Sequence, residues 1–305
     1  MARLYAKFLT SVGALPGDVF VETTGSGLAN DGVARCVKLL EDIQEKGGGV
    51  LFIDEAYQLS SGSNYGGKQV MDYLLAEAEN LKGKVVFVIA GYNKQMETFF
   101  AHNPGIPSRF PESLQFADYQ DAELRLILEH QINQRYSGHM LVEDGFSGLY
   151  ARIVARRVGR GRGKEGFGNA RAMKNVFSQI TERQSSRLGS QRIAGSKPND
   201  MLLTRGDLIG PEPSGALKNC DAWVKLQDLI GLSDVKDAVQ ALVDSIQFNY
   251  ERELEEAPIM DFTLNRIFLG SPGTGKTSVA KLYGQILAQI GLLSNGEGMI
   301  DPASA

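Results

Sequence analysis

The sequence predicts an α/β fold, a doubly wound parallel sheet joined to a small all-α unit. Two apolar runs carry that reading, VLFI at residues 50–53 and KVVFVIA at residues 84–90, because strands buried on both faces of a parallel sheet are apolar throughout. Stretches of helical spacing alternate with them, the order that winds helices over a single sheet. From residue 119 to about residue 187 strand signals stop and helical patterns take over, so a separate helical unit follows.

Taken in order, Leu4, Phe8, Leu9 and Val12 recur at helical spacing and Gly13 closes that helix. Residues 18–23 (DVFVET) read as a short strand, and residues 34–46 as a helix stopped by three glycines. The strand at 50–53, a helix at 66–81 and the strand at 84–90 complete the α/β region. In residues 119–187, DAELRLILEHQINQRY and NARAMKNVFSQITERQSSRL are helical patterns around a glycine-rich, basic turn. Residues 188–222, rich in Ser, Gly, Pro and Asn, predict a linker with little core of its own. A new module opens at Trp223, with the helix DVKDAVQALVDSIQFNYEREL and then a strand at residues 266–269 (RIFL).

The first helix has a twin. Ala2-Arg-Leu-Tyr5 aligns with Ala280-Lys-Leu-Tyr283, and Leu4/Leu282, Phe8/Ile286, Leu9/Leu287, Val12/Ile290 and Leu15/Leu293 keep step, with Gly13 on Gly291. The second copy grows out of GSPGTGKT, so the first reads as the same helix without its phosphate loop. That displaces the other reading of the basic, acid-free start, a mitochondrial targeting helix. A repeat this long marks a duplicated domain rather than a solenoid.

Composition narrows the function classes. A net charge of −4 over 305 residues gives no global attraction to nucleic acid or anionic membrane. No apolar run approaches the roughly 18 residues of a membrane span, so no membrane partner is expected. Two cysteines, Cys36 and Cys220, make no disulfide framework or zinc spacing, and a reducing compartment, cytoplasmic or nuclear, is expected. His102, His130 and His139 fall in no metal motif.

Two motifs carry chemistry. GSPGTGKT fits the pattern of a phosphate-cradling loop between a strand and a helix. Gly270, Ser271, Pro272, Gly273, Thr274, Gly275, Lys276, Thr277 and Ser278 form the candidate cradle for ATP. Glycines let successive N–H groups face one anion at the positive end of a helix, Lys276 reaches the β and γ phosphates, and Thr277 ligates Mg²⁺. In GGGVLFIDEAYQL, a buried strand ends in Asp54 and Glu55, one carboxylate for the Mg²⁺ shell and the next to activate water. Acids at the carboxyl end of such a strand sit where open α/β sheets bind ligands.

The phrases GGVLFIDEAY, VVFVIAGY, NKQMETFFAHNPGIPSRF, GFGNARAMKNVF and LIGLSDVKDAV resemble the AAA+ ATPases, in the branch with the CbbX proteins and the stage V sporulation protein K group. The resemblance covers nearly the whole chain. It implies a P-loop NTPase sheet with a helical lid, ATP and Mg²⁺ as ligands, and a homo-oligomer or a neighbouring AAA+ module as partner. By position it implies that Asn93 is the sensor 1 residue, that Arg109 is an arginine finger acting on a neighbour's ATP, and that Arg171 is sensor 2. The domains expected are a core at 1–118 lacking its own phosphate loop, a lid at 119–187, the linker at 188–222, and a second module at 223–305 that reaches just past its phosphate loop. Shifted by the repeat offset, Asp54 has no counterpart within the 305 residues, so the motif order predicts a piece of a longer tandem protein with incomplete or permuted modules.

Departures from the family matter too. In ETTGSGLANDG, where substrate-threading relatives place an aromatic pore residue, this chain has Leu28, Ala29 and Asn30. The run ARRVGRGRGKEGFGNARAMK, with Arg152, Arg156, Arg157, Arg160, Arg162 and Lys164, lacks interleaved aromatics, so a solvated lid loop is expected and nucleic acid is not. The expected function is ATP hydrolysis coupled to remodelling of an unidentified protein substrate. The alternative is a fragment that binds nucleotide without hydrolysing it and serves as an interaction module.

Overall fold

The computed structural model describes residues 2–289 except 61–64, 103–104, 165, 214, 216–219 and 262. The repeat pairs that involve Ile290, Gly291 and Leu293 lie outside the described residues. The chain divides into two compact units, Met1–Gln115 and Phe116–Ala305.

In the first unit, α1 (Ala2–Ser11), β1 (Val19–Thr24), α2 (Gly25–Glu45), β2 (Gly49–Asp54), a 3-10 turn (Ala56–Ser60), α3 (Tyr65–Asn80), β3 (Val85–Ile89), α4 (Asn93–His102) and α5 (Gly105–Arg109) follow one another. The strands form one parallel sheet in the order β1-β2-β3, with Thr24 beside Asp54 and Ile53 beside Ile89. Side chains alternate across the sheet. Leu51 and Ile53 enter the core built with α2, α3, α4 and α5, whereas Val50, Val86 and Val88 meet Ala6 and Leu9 of α1 on the other face. Helices on both faces are what the continuous apolar runs require.

α2 starts well before the predicted helix at residue 34. Thr24 caps it by accepting from the Gly27 N–H at 3.1 Å, and Gly32, at φ 74 and ψ −171, breaks it in two. Leu28 and Ala29, in the segment aligned with the pore position, are therefore buried core residues of a helix. Cys36 is buried beside them, and burial pushes its thiol up to about 11.

The second unit holds α6 (Asp121–Tyr136), β4 (Leu141–Val142), α7 (Leu149–Gly159), α8 (Ala170–Ile193), β5 (Leu202–Leu203), α9 (Arg205–Ile209), α10 (Asp221–Asp228), α11 (Ser233–Leu254) and α12 (Lys276–Gln289). Leu124, Leu128 and Ile132 of α6 pack with Ile153, Val154, Met173, Phe177 and Ile180. Strands do not vanish entirely here, because β4 and β5 pair in parallel over two residues.

Two expectations fail in this unit. The polar segment expected to be a linker with little core is structured over 188–209, where α8 runs on to Ile193 and Leu203, Leu208 and Ile209 join the lid core. The buried Asp207 carboxylate fixes it by accepting from Arg187 Nε and Nη2 at 3.0 and 2.8 Å and from the Thr204 N–H at 2.8 Å. Residues 266–269, expected as a strand, belong to no sheet among the described residues, because no other strand of this unit lies against them. Instead, α12 packs on α10 and α11 through Leu226, Val243, Val279, Tyr283 and Ile286. Among the described residues, no helix is long and apolar enough to cross a membrane.

Candidate functional site

β2 delivers its two acids in different states. Asp54 ends the strand exposed and accepts from the Glu55 N–H at 2.9 Å. Glu55 adopts φ 49, a left-handed conformation that costs a non-glycine residue on the order of 1 kcal/mol. Surrounding contacts hold it there. Gln58 Nε2 donates to Glu55 Oε2 at 2.7 Å, and a Cβ at Gly25 would lie 2.5 Å from the Glu55 carbonyl, so only glycine fits against that turn. The Ala56 N–H donates to the Ala90 carbonyl and the Ala90 N–H to that of Ile53, both at 2.9 Å, which staples the end of β3 to the acids. Asn93 opens α4 just beyond, exposed at the same carboxyl end of the sheet. Sequence reading missed Gln58 and Gly25; the only signal was the i+3 spacing of Gln58 from Glu55.

Arg109 is not gathered into this cluster. It ends α5, donates to Ser108 Oγ at 2.9 Å and lies 3.7 Å from Glu79 of α3.

The phosphate loop stands in the second unit. Gly273 and Gly275, at φ 80 and 84, turn the chain into α12, which begins at Lys276. The Lys276 ammonium donates to the carbonyls of Gly270 and Ser271 at 2.9 and 2.8 Å, and Thr274 Oγ1 donates to the Ser271 carbonyl at 2.8 Å. The turn is thus folded around its lysine, with Thr277 and Ser278 exposed on the first turn of the helix.

Arg171 is exposed in the first turn of α8, and its neighbour does the anchoring. Asn169 takes φ 46 and ψ −114, donates from Nδ2 to Asp118 at 2.7 Å and accepts from the Tyr119 N–H at 2.9 Å. With the Gly163 N–H also donating, those hydrogen bonds hold the Asp118 carboxyl below the usual range. In the sequence Asn169 stands two residues before Arg171 in GFGNARAMKNVF, and no spacing there marks it as an anchor.

The basic run is not a solvated loop. Arg157 and Arg160 both hold the buried Glu253 of α11, at 2.6 and 2.5 Å. Arg152 and Arg156 hold Glu256, at 3.0 and 2.9 Å, the Arg156 contact being an ion pair without hydrogen-bond alignment. Arg162 donates to Asp121 at 2.6 Å and to the Tyr119 carbonyl at 2.9 Å. The first four arginines fasten α7 to the end of α11, and Arg162 ties the turn after α7 to the start of α6.

A parallel sheet covered on both faces, acids at its carboxyl end, a lysine-centred glycine turn at a helix N-terminus and a helical lid define a P-loop NTPase. Comparison with known proteins narrows the class. The model of the ATPase family associated with various cellular activities (AAA) matches residues 2–117, and the AAA lid domain matches residues 120–216. Stage V sporulation protein K of Bacillus subtilis is 30% identical over 221 residues, 71% of this chain and 66% of that protein. The plasmid protein CbxX of Cupriavidus necator is 31% identical over 207 residues, covering 67% and 62%. Protein CbbX of Cereibacter sphaeroides is 35% identical over 153 residues, covering 50% and 47%. The chain therefore spans just under two thirds of the length of the first of these relatives. It belongs to the AAA+ ATPases, in the branch that includes stage V sporulation protein K and CbbX.

Proposed function

We propose that this protein binds ATP at residues 270–278 and hydrolyses it with Asp54 and Glu55, coupling turnover to remodelling of a protein partner within an oligomer. The observation that carries the reading is the glycine turn folded around the Lys276 ammonium at the start of α12. Such a turn offers an anion a cation, several N–H groups and the helix dipole at once. An arriving γ phosphate replaces the carbonyls of Gly270 and Ser271 as the acceptor for Lys276.

Thr277 and Asp54 supply oxygen ligands of the kind Mg²⁺ takes, and the ion, when bound, neutralises charge on the β and γ phosphates. Glu55, aimed by Gln58 and the strained turn, accepts the proton of the attacking water. Asn93 orients that water, Arg171 contacts the γ phosphate from the lid, and Arg109 serves a neighbouring copy's nucleotide. The Glu79 pairing suits that last role, since it leaves Arg109 outside its own acid cluster.

Nucleotide binding and phosphate release, measured on wild type, Lys276→Ala and Glu55→Gln, test the reading. Binding lost only in Lys276→Ala and turnover lost in both support it; turnover equal in all three contradicts it. One observation favours a second reading, nucleotide binding without hydrolysis: the loop and the acids belong to different units of the chain. Wild type that binds ATP and releases no phosphate selects that reading. A native mass that rises on adding ATP supports the oligomer.

A further inference from the structure

The start of α8 is built against local preference. Asn169 holds the capping position, where an asparagine side chain normally accepts from N–H groups of the first turn, yet it makes no such bond. Its backbone, at φ 46 and ψ −114, lies outside even the left-handed helical region that asparagine tolerates, in a conformation that suits glycine. Glycines stand just before it, at 166 and 168, so the turn is not short of that residue. What glycine lacks is the amide. Asn169 Nδ2 donates to Asp118 Oδ1 at 2.7 Å, and Asn169 Oδ1 accepts from the Tyr119 N–H at 2.9 Å. These partners lie 51 and 50 residues earlier, where the chain enters the second unit. A helix cap and a relaxed backbone are both given up for a long-range tie.

Further bonds hold the tie at both ends. The Gly163 N–H donates to Asp118 Oδ2 at 3.0 Å, and Arg162 Nε donates to the Tyr119 carbonyl at 2.9 Å. At the other end, the Arg171 N–H donates to the Gly168 carbonyl at 2.8 Å and the Met173 N–H to that of Asn169 at 3.0 Å. Arg171 therefore stands on a helix start whose place is set by Asp118 and Tyr119. Its side chain differs from the arginines before it. Those from Arg152 to Arg162 are each held by Glu253, Glu256 or Asp121, whereas the Arg171 guanidinium makes no hydrogen bond or ion pair among the described residues.

We propose that Asn169 is a positioning residue for Arg171: by tying the start of α8 to Asp118 and Tyr119, it holds that guanidinium where it meets the γ phosphate of ATP. The inference rests on the reading that Arg171 contacts that phosphate, and it names what fixes the contact.

Titration of the full chain with MgATP and with MgADP, beside a thermal melt, tests it. The readout is the ratio of the two affinities, because a group that serves the γ phosphate favours ATP alone. A residue that only stabilises the lid moves the melting temperature and leaves the ratio unchanged. Arg171→Ala should cut the ratio about tenfold, the loss of a charged hydrogen bond. Asn169→Gly keeps the backbone conformation but loses both side-chain bonds, and should cut it about three- to tenfold. Asp118→Asn sets amide against amide and Asn169→Asp sets carboxylate against carboxylate, so each should act as Asn169→Gly does. The double exchange, Asp118→Asn with Asn169→Asp, again faces a donor with an acceptor and should return the ratio to near that of wild type. A ratio lowered by Arg171→Ala but not by Asn169→Gly overturns the proposal and leaves the reading of Arg171 standing. A double exchange no better than either single change also overturns it, as does a lowered melting temperature with an unchanged ratio. A ratio that Arg171→Ala leaves unchanged overturns the reading of Arg171 and the proposal with it.

Discussion

Tyr283 and Ile286 of α12 are 8% and 1% exposed, whereas Tyr5 and Phe8, at the matching places in α1, are 43% and 57% exposed. α12 turns that face toward α10 and α11, and the Tyr283 hydroxyl donates to the Leu264 carbonyl at 2.7 Å. α1 turns a different face, Ala6 and Leu9, onto the sheet. One apolar pattern thus serves two surroundings, and the neighbours available decide which part is buried. α12 begins at the phosphate loop, with Lys276 and Thr277 in its first turn.

The largest expected effect falls on the buried copy. Ile286→Ala removes a fully buried side chain and should lower the stability of the second unit by about 3 kcal/mol, read from denaturant unfolding. An effect below about 1 kcal/mol would show that α12 is not docked on α10 and α11. Next, Lys276→Ala should weaken MgATP binding about 30- to 100-fold in a calorimetric titration, the loss of charged hydrogen bonds worth about 2–3 kcal/mol. Arg3→Ala in α1 should leave that affinity unchanged.

A smaller effect tests what fastens α11, on which α12 rests. Glu253→Gln leaves Arg157 and Arg160 without their anion and should cost about 2 kcal/mol, below the cost of a fully buried pair because both arginines are partly hydrated. Burial alone would raise the Glu253 pKa, but the hydrogen bonds and charges of Arg157 and Arg160 outweigh it and hold the pKa below its ordinary 4.5. A carboxyl depressed in the folded state contributes stability that is full above its unfolded pKa and lost as pH falls through the folded one. Wild type should therefore lose stability as pH drops below about 4.5, and Glu253→Gln should lose less over the same range. Smallest of all, Phe8→Ser on the exposed face of α1 should stay within about 0.5 kcal/mol of wild type in unfolding.

How much the sequence disclosed follows from where each signal lies. β2 and β3 were legible because burial on both faces writes itself as an unbroken apolar run. The first half of α2 was hidden, since the glycines of GSGLANDG read as breakers while the Thr24 cap and the break at Gly32 needed coordinates. The core contribution of residues 188–209 was hidden because Leu203, Leu208 and Ile209 are few among polar residues, and Asp207 takes its meaning from Arg187. The motifs Asp54-Glu55 and GSPGTGKT are contiguous, so composition and spacing exposed them. Gln58, Asn169 and the arginine partners Glu253 and Glu256 act through contacts, the last two about a hundred residues from the arginines they hold, and spacing cannot show that.

The central claim is that the glycine turn around Lys276 holds the nucleotide and that Glu55 serves its hydrolysis, and nucleotide titration beside a phosphate-release assay tests it most directly. Wild type and Glu55→Gln should bind MgATP alike while only wild type releases phosphate, and Lys276→Ala should bind weakly and release none. A Glu55→Gln variant that releases phosphate as fast as wild type would contradict the account.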